Sequence, residues 1–261
     1  MPEPAPSGGP SRLLLALVIG GAVVVLGIVV LLVALLRGGG GGGSAGESVS
    51  PSPRDSASEA AAARNLADRV TLTTADWGPG FVRSDPYEST SLNELTVKDT
   101  CELADRKARP GTLAVLTRTS VNNDDGLTAV SETRAYADQP AAEKFVADTQ
   151  DSLHRCSTQT YGKVRWEDVR EAVAPDVNGF DELVSEESRQ VTYDDGSKAD
   201  LIYISVMGRT GDTVLNTWVA GPPDSESKLR KLVTDGLQLM RQRLTSAGAT
   251  APYTSPTATY R

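Results

Sequence analysis

The chain predicts an α+β fold: a mostly antiparallel β-sheet packed with about three helices, preceded by one transmembrane helix. Three observations carry this. An uncharged apolar run lies near the N-terminus, two segments alternate with the period of hairpin strands, and three stretches repeat apolar residues with helical spacing.

Leu13 to Leu36 is a run of 24 residues without a charge, bounded by Arg12 and Arg37. A spanning helix needs about 20 apolar residues, each adding roughly 1.5 Å across a bilayer core of about 30 Å. A cleaved leader would have a shorter apolar region, about 7–15 residues, and a small-residue cleavage site. The run therefore reads as an uncleaved anchor. Arg12 flanks one side and Arg37 with Arg54 the other, so charge alone does not orient it. The cysteine pair Cys101 and Cys156 suits an oxidising compartment. It sets residues 1–12 as a short cytoplasmic tail and the C-terminal domain outside the cytoplasm, at the cell membrane in a single pass. Ala16 and Gly20, with Gly27 beyond them, would let two copies pack as a weak homodimer through this helix.

Residues 37–55 form a Gly/Ser/Pro-rich linker, with six glycines from Gly38 to Gly43. Such a tether reaches on the order of 20–25 Å. Residues 56–246 are the folded domain, and 247–261, rich in Thr, Ala, Ser and Pro, are a disordered tail. A formal net charge of −8 and the absence of any basic run exclude nucleic acid and anionic headgroups as partners. Membrane contact falls to the N-terminal helix alone.

Within the domain, Ser56 and Glu59 have capping-box spacing, and Ala62, Ala63, Leu66 and Val70 share a face of the first helix. Asp76 to Gly80 make a turn, and Gly78 to Thr100 read as a long loop with few apolar anchors. Residues 113–121 alternate as a half-buried strand, Asn122 to Gly126 turn the chain, and 127–137 return. Asp138 and Pro140 open a second helix with Ala142, Phe145, Val146, Thr149 and Leu153 on its stripe. Strands follow near 163–169 and 186–193. After a turn at Asp194-Asp195-Gly196, residues 199–207 are apolar on both faces, as an interior strand would be. Arg209 to Asp212 turn into a strand at 213–220. Pro222-Pro223-Asp224 then starts a helix carrying Leu229, Leu232, Val233, Leu237, Met240 and Leu244.

Cys101 and Cys156 read as a structural disulfide closing a loop of 55 residues, worth about 3–4 kcal/mol in chain entropy. The alternative is a nucleophilic cysteine. Its base would be His154, the single histidine, and i, i+2 side chains on a helix point apart. Two cysteines and one histidine complete no zinc site. The Asp-Asp-Gly sequences at 124–126 and 194–196 lack the alternating acids of a calcium loop and read as hairpin turns. Neither a metal nor a cofactor is expected. No nucleophile elbow, phosphate loop, dinucleotide fingerprint or HExxH occurs. Paired carboxylates remain a route to catalysis, and Glu186, Glu187 and Asp99 are among acids too numerous to select from. Trp77, Tyr87, Trp166, Tyr193, Tyr203 and Trp218 are ligand-capable, but large aromatics serve cores as readily, so the ligand-binding residues stay unassigned.

Several motifs resemble the extracellular sensor domain of the mycobacterial kinase PknH, a PknH-like family also found in stand-alone membrane-anchored proteins. They are the leading helix before Leu72-Thr-Thr-Ala-Asp76-Trp77, Cys101 ahead of the first hairpin, and Ala135-Tyr136-Ala137-Asp138. Ala141-Ala142-x-x-Phe145, Leu153-His-Arg-Cys156 and Gly208-Arg209-Thr-Gly-Asp212 complete the set. The resemblance spans about residues 60–246. It implies a non-catalytic domain that takes an undefined ligand in a cleft. Two departures stand out: the family's better-known member carries two bridges where this chain has cysteines for one, and a 12-residue tail holds no kinase, so signalling would run through a partner protein. Three functions follow: an extracytoplasmic sensor or ligand-binding module of the cell envelope, an interaction or scaffold domain of the envelope, and an unrecognised envelope enzyme. A deep cleft with convergent polar groups favours the first, a flat apolar patch the second, and two titratable groups with shifted pKa in one cleft the third.

Overall fold

The computed structural model describes residues 53–193 and 196–249. The apolar run 13–36, residues 37–52 of the linker, the end of the tail and Asp194-Asp195 of the second turn lie outside the described residues. No helix among the described residues is long and apolar enough to cross a membrane.

A seven-stranded antiparallel sheet is the frame. Its strands are β1 (Val82–Ser89), β4 (Thr112–Asn122), β5 (Leu127–Tyr136), β8 (Arg170–Ala172), β9 (Glu182–Ser188), β12 (Ile202–Thr210) and β13 (Thr213–Gly221). Their spatial order is β1-β4-β5-β13-β12-β9-β8. β12 is interior, between β13 and β9, as its two apolar faces require. A small antiparallel sheet orders β11 (Lys198–Ala199), β10 (Gln190–Thr192), β7 (Val164–Glu167) and β6 (Gln159–Tyr161), and β2 (Glu94–Val97) pairs with β3 (Leu103–Arg106) as a hairpin.

Helices α1 (Pro53–Val70) and α3 (Glu226–Ala249) cover one face of the large sheet. There Leu229, Val233, Leu237 and Met240 of α3 are buried with Ile202, Ile204 and Val206 of β12 and Leu215 and Val219 of β13. Leu232 and Leu244 are half-buried at the edge of this core. Thr217 Oγ1 donates to the Val233 carbonyl at 2.9 Å, fixing helix to sheet. Helix α2 (Gln139–Arg155) packs on the other face, where Ala142, Phe145, Val146 and Leu153 meet Val184, Met207 and Val214. Asp138 caps it by accepting from the Ala141 N–H at 2.9 Å.

Several sequence expectations shift. Helix α1 begins at Pro53, within the segment read as linker, because a proline lacks the N–H that a first helical turn leaves unsatisfied; Ser56 is then inside the helix. α3 runs to Ala249, beyond 246. The expected loop 78–100 contains β1 and β2. β1 escaped because VRSDPYES holds a proline and one aliphatic residue, and an edge strand needs little apolar content. The expected strand 163–169 is the shorter β7, ended by Asp168 at φ 55°, and β8 follows beyond it. That at 186–193 divides into β9, which joins the large sheet, and β10, which leaves it. β4 is not half-buried: Val115, Leu116, Thr119, Ser120 and Val121 on its two faces are all buried.

A cleft on the open face of the sheet

Period-two alternation gives each central strand two roles. In β12, Ile202, Ile204 and Val206 face the α1/α3 core, and Tyr203, Ser205 and Met207 face the other way. In β13, Leu215 and Val219 face the core, and Asn216, Trp218 and Ala220 oppose it. α2 covers only part of this second face. What it leaves open is a cleft of about 790 Å³. Its floor is Glu132 and Arg134 of β5, Asn216, Trp218 and Ala220 of β13, Tyr203 and Met207 of β12, and Glu186 and Ser188 of β9. One wall is α2, through Phe145, Thr149 and Ser152. A second is the β2–β3 hairpin, through Leu95, Val97 and Leu103, and a third is the small sheet, through Tyr161 and Trp166.

Three aromatic rings line up from the small-sheet wall onto the floor. The Trp166 and Tyr203 centroids are 5.5 Å apart and tilted by 50°, and those of Tyr203 and Trp218 are 5.6 Å apart and tilted by 46°. Of the six aromatics noted in the sequence, these three converge. Trp77 is core, 6.3 Å from Phe81, and Tyr87 lies under Arg83 on β1.

Glu186 sits beside this row. Strand register puts it opposite Ser205, which is opposite Trp218. No hydrogen bond or ion pair among the described residues reaches its carboxyl, and burial pushes its pKa up to about 7. Burial, then the neighbouring Glu186, also raises the Tyr203 hydroxyl well above its usual value. The other acids noted in the sequence are engaged. Glu187, on the opposite face of β9, is hydrogen-bonded by Arg170 at 2.5 Å and Arg230 at 2.6 Å, and Asp99 lies 3.8 Å from Arg155.

The sign of the Glu186 shift gives a testable consequence. Its folded pKa lies above the ordinary 4.5, so the folded state holds a proton that the unfolded chain has released between about pH 4.5 and 7, and stability falls across that window. Glu186→Gln removes this loss. The variant should match the parent at pH 4 and exceed it above pH 8 by up to about 3 kcal/mol. Thermal midpoints measured at both pH values check this, and equal midpoints at pH 8 would refute the raised pKa.

At the mouth, Glu94 is fully buried and takes a bidentate contact from Arg109 at 3.0 and 3.2 Å and a bond from Arg106 at 2.5 Å. Burial would raise its carboxyl, but the hydrogen bonds from Arg109 and Arg106 hold it below the usual range. Arg109 continues to Asp148 of α2 at 3.0 Å, so the hairpin is tied to the helix. Arg134, 5.0 Å over the Phe145 ring, bonds Glu132 at 2.5 Å. Its Nη1 and the Tyr136 and Tyr161 hydroxyls are buried without a partner among the described residues.

Cys101 and Cys156 are bonded, with an S–S distance of 2.05 Å and Cα atoms 5.5 Å apart. The bridge stands where the cleft walls meet. Cys101 follows β2, Cys156 ends α2, and Thr160 of β6 donates its N–H to the Cys101 carbonyl at 3.0 Å. His154 is no partner to Cys156; its Nε2 lies 2.7 Å from Glu171. Among the described residues no group of three or more His, Cys, Asp or Glu side chains is placed to hold a metal ion.

No family model matches the chain, and no curated protein matches it. Solved structures are similar, among them the following two. The extracellular domain of PknH from Mycobacterium tuberculosis aligns at 12% identity with a TM-score of 0.46, covering 71% of this chain and 96% of that one. An uncharacterized protein from Mycobacterium smegmatis aligns at 10% identity with a TM-score of 0.39, covering 65% and 97%. The domain whose motifs the sequence resembles is thus among the structures that this fold is similar to.

Proposed function

We propose that the domain is a non-catalytic ligand-binding module, a sensor of the cell envelope held outside the cytoplasm, and that the cleft is its site. The observation that carries this is the cleft itself: about 790 Å³ lined by Trp166, Tyr203, Trp218 and Met207, with a few polar groups converging on it. That volume and lining suit a small organic ligand. The disulfide supports an oxidising compartment.

Glu186 and Tyr203 are two shifted groups in one cleft, which gives the enzyme reading its best foothold. Carboxylate-pair hydrolysis needs its two acids about 5–9.5 Å apart. Glu132 lies three strands from Glu186, and its carboxyl is taken by Arg134 at 2.5 Å and Thr117 at 2.8 Å. Glu171, opposite Glu186 on β8, has its oxygens taken by Gln150 at 3.1 Å and His154 at 2.7 Å. Glu186 is left as a recognition group.

The test is thermal shift and tryptophan emission of the full chain against lipid, glycan and metabolite fractions of an envelope extract. An active fraction should raise the midpoint by mass action and alter the emission of the cleft tryptophans. Trp218→Ala should lose both effects. An equal shift in that variant would place the ligand elsewhere, and turnover of the active compound would favour the enzyme.

A further inference from the structure

We propose that the cleft recognises an organic ammonium group, a primary or methylated amine cation seated on Trp166, Tyr203 and Trp218 with Glu186 as its counter-ion. This rests on the ligand-binding reading above and names the chemical class of the occupant.

Charge pairing around the cleft carries the argument. Its basic groups already face acids: Arg134 with Glu132, Arg109 and Lys144 with Asp148, Arg106 with Glu94, Lys98 with Glu102, and Arg155 with Asp99. Each of these described cations is thus charge-paired; Arg134 Nη1, buried without a partner, belongs to a guanidinium already balanced by Glu132. Glu186 is the reverse case, an acid on the floor with no cation among the described residues. The groups beside it supply no positive charge. β12 offers the Tyr203 hydroxyl, β13 the uncharged Asn216 and Trp218, and β8 offers Glu171, itself engaged by His154. From α2, Lys144 and Arg155 turn to Asp148 and Asp99, and Asp151 is exposed. Further along the floor, Glu132 and Arg134 answer one another.

The rings complete the site. An aromatic face carries negative potential and attracts a cation within about 6 Å of its centre, most strongly for tryptophan and when water is excluded. The same faces repel an anion. A row of tilted rings with an unpaired carboxyl beside Tyr203 therefore favours a soft, weakly hydrated cation, which restores to Glu186 the charge that burial suppresses. Binding then releases the Glu186 proton, and affinity should rise about tenfold between pH 6 and pH 8 for a group titrating near 7.

Choline and its uncharged isostere 3,3-dimethyl-1-butanol separate charge from shape, and methyl glucoside tests a neutral sugar. Each is titrated calorimetrically into the full chain and into Glu186→Gln, at pH 6 and 8 and in two buffers of different ionisation heat. At pH 8 choline should bind at least tenfold more tightly than the isostere and lose tenfold or more in Glu186→Gln, while at pH 6 both differences shrink and binding to the parent releases a proton. The variant's circular dichroism and thermal midpoint verify its fold. At pH 8, equal binding of choline and the isostere, undiminished binding in Glu186→Gln, or no choline binding at millimolar concentration would each overturn the ammonium assignment. Binding of methyl glucoside or the isostere alone would do so while leaving the cleft as a ligand site. Loss of every extract response as well would remove the ligand-binding reading itself.

Discussion

Removing the Cys101–Cys156 bridge, by reduction or as Cys101→Ser with Cys156→Ser, should destabilise the domain by about 3–4 kcal/mol, since it closes a 55-residue loop. For a domain of this size that lowers the thermal midpoint by roughly ten degrees. The loss should be uneven. Amides of β2, β3 and β6, which meet at the bridge, should exchange faster by hydrogen–deuterium measurement, while those of β12 and β13 hold. A midpoint unchanged by reduction, with both thiols then titrating, would show that the walls stand without it.

Glu94→Ala should cost as much again, about 3–5 kcal/mol, because it strips a buried arginine of its main counter-charge. Arg109 is about one-tenth exposed and would keep only Asp148. Glu94 carries a depressed pKa, so its stabilisation is present above the unfolded value near 4.5 and is lost as pH falls through the lower folded one. Urea titrations at pH 7 and pH 3 test this. The variant should differ from the parent most at pH 7, and a constant difference down to pH 3 would contradict a charge-based role.

Much of the frame was legible from local pattern, for definite reasons. α2 and α3 bury one stripe, so their period shows in Phe145, Val146 and Leu153 and in Leu229, Val233 and Leu237. β12 is interior, so it is apolar on both faces. β1 was illegible because it holds a proline and one aliphatic residue, and β6 and β11 because two or three residues are too few for alternation to show. The cleft was illegible for another reason. Alternation says that Tyr203 shares a face with Met207, and Trp218 with Asn216, but not that α2 stops short of covering both pairs. That is decided by the crossing of elements far apart in sequence. Glu186 stood among many acids, and what singles it out is the absence of a partner, which has no local signature.

Alternate residues of one strand serve different masters. Along β12 and β13 one parity builds the interior that defines the fold, and the other parity lines the cleft. A chain of this architecture can therefore exchange Tyr203, Asn216 or Trp218 for other residues without disturbing Ile204, Val206, Leu215 or Val219. Ligand preference can then drift rapidly among descendants while the scaffold stays fixed. Two chains of one shape need not answer to the same molecule, and the side chains to compare between them are those that stay out of the core.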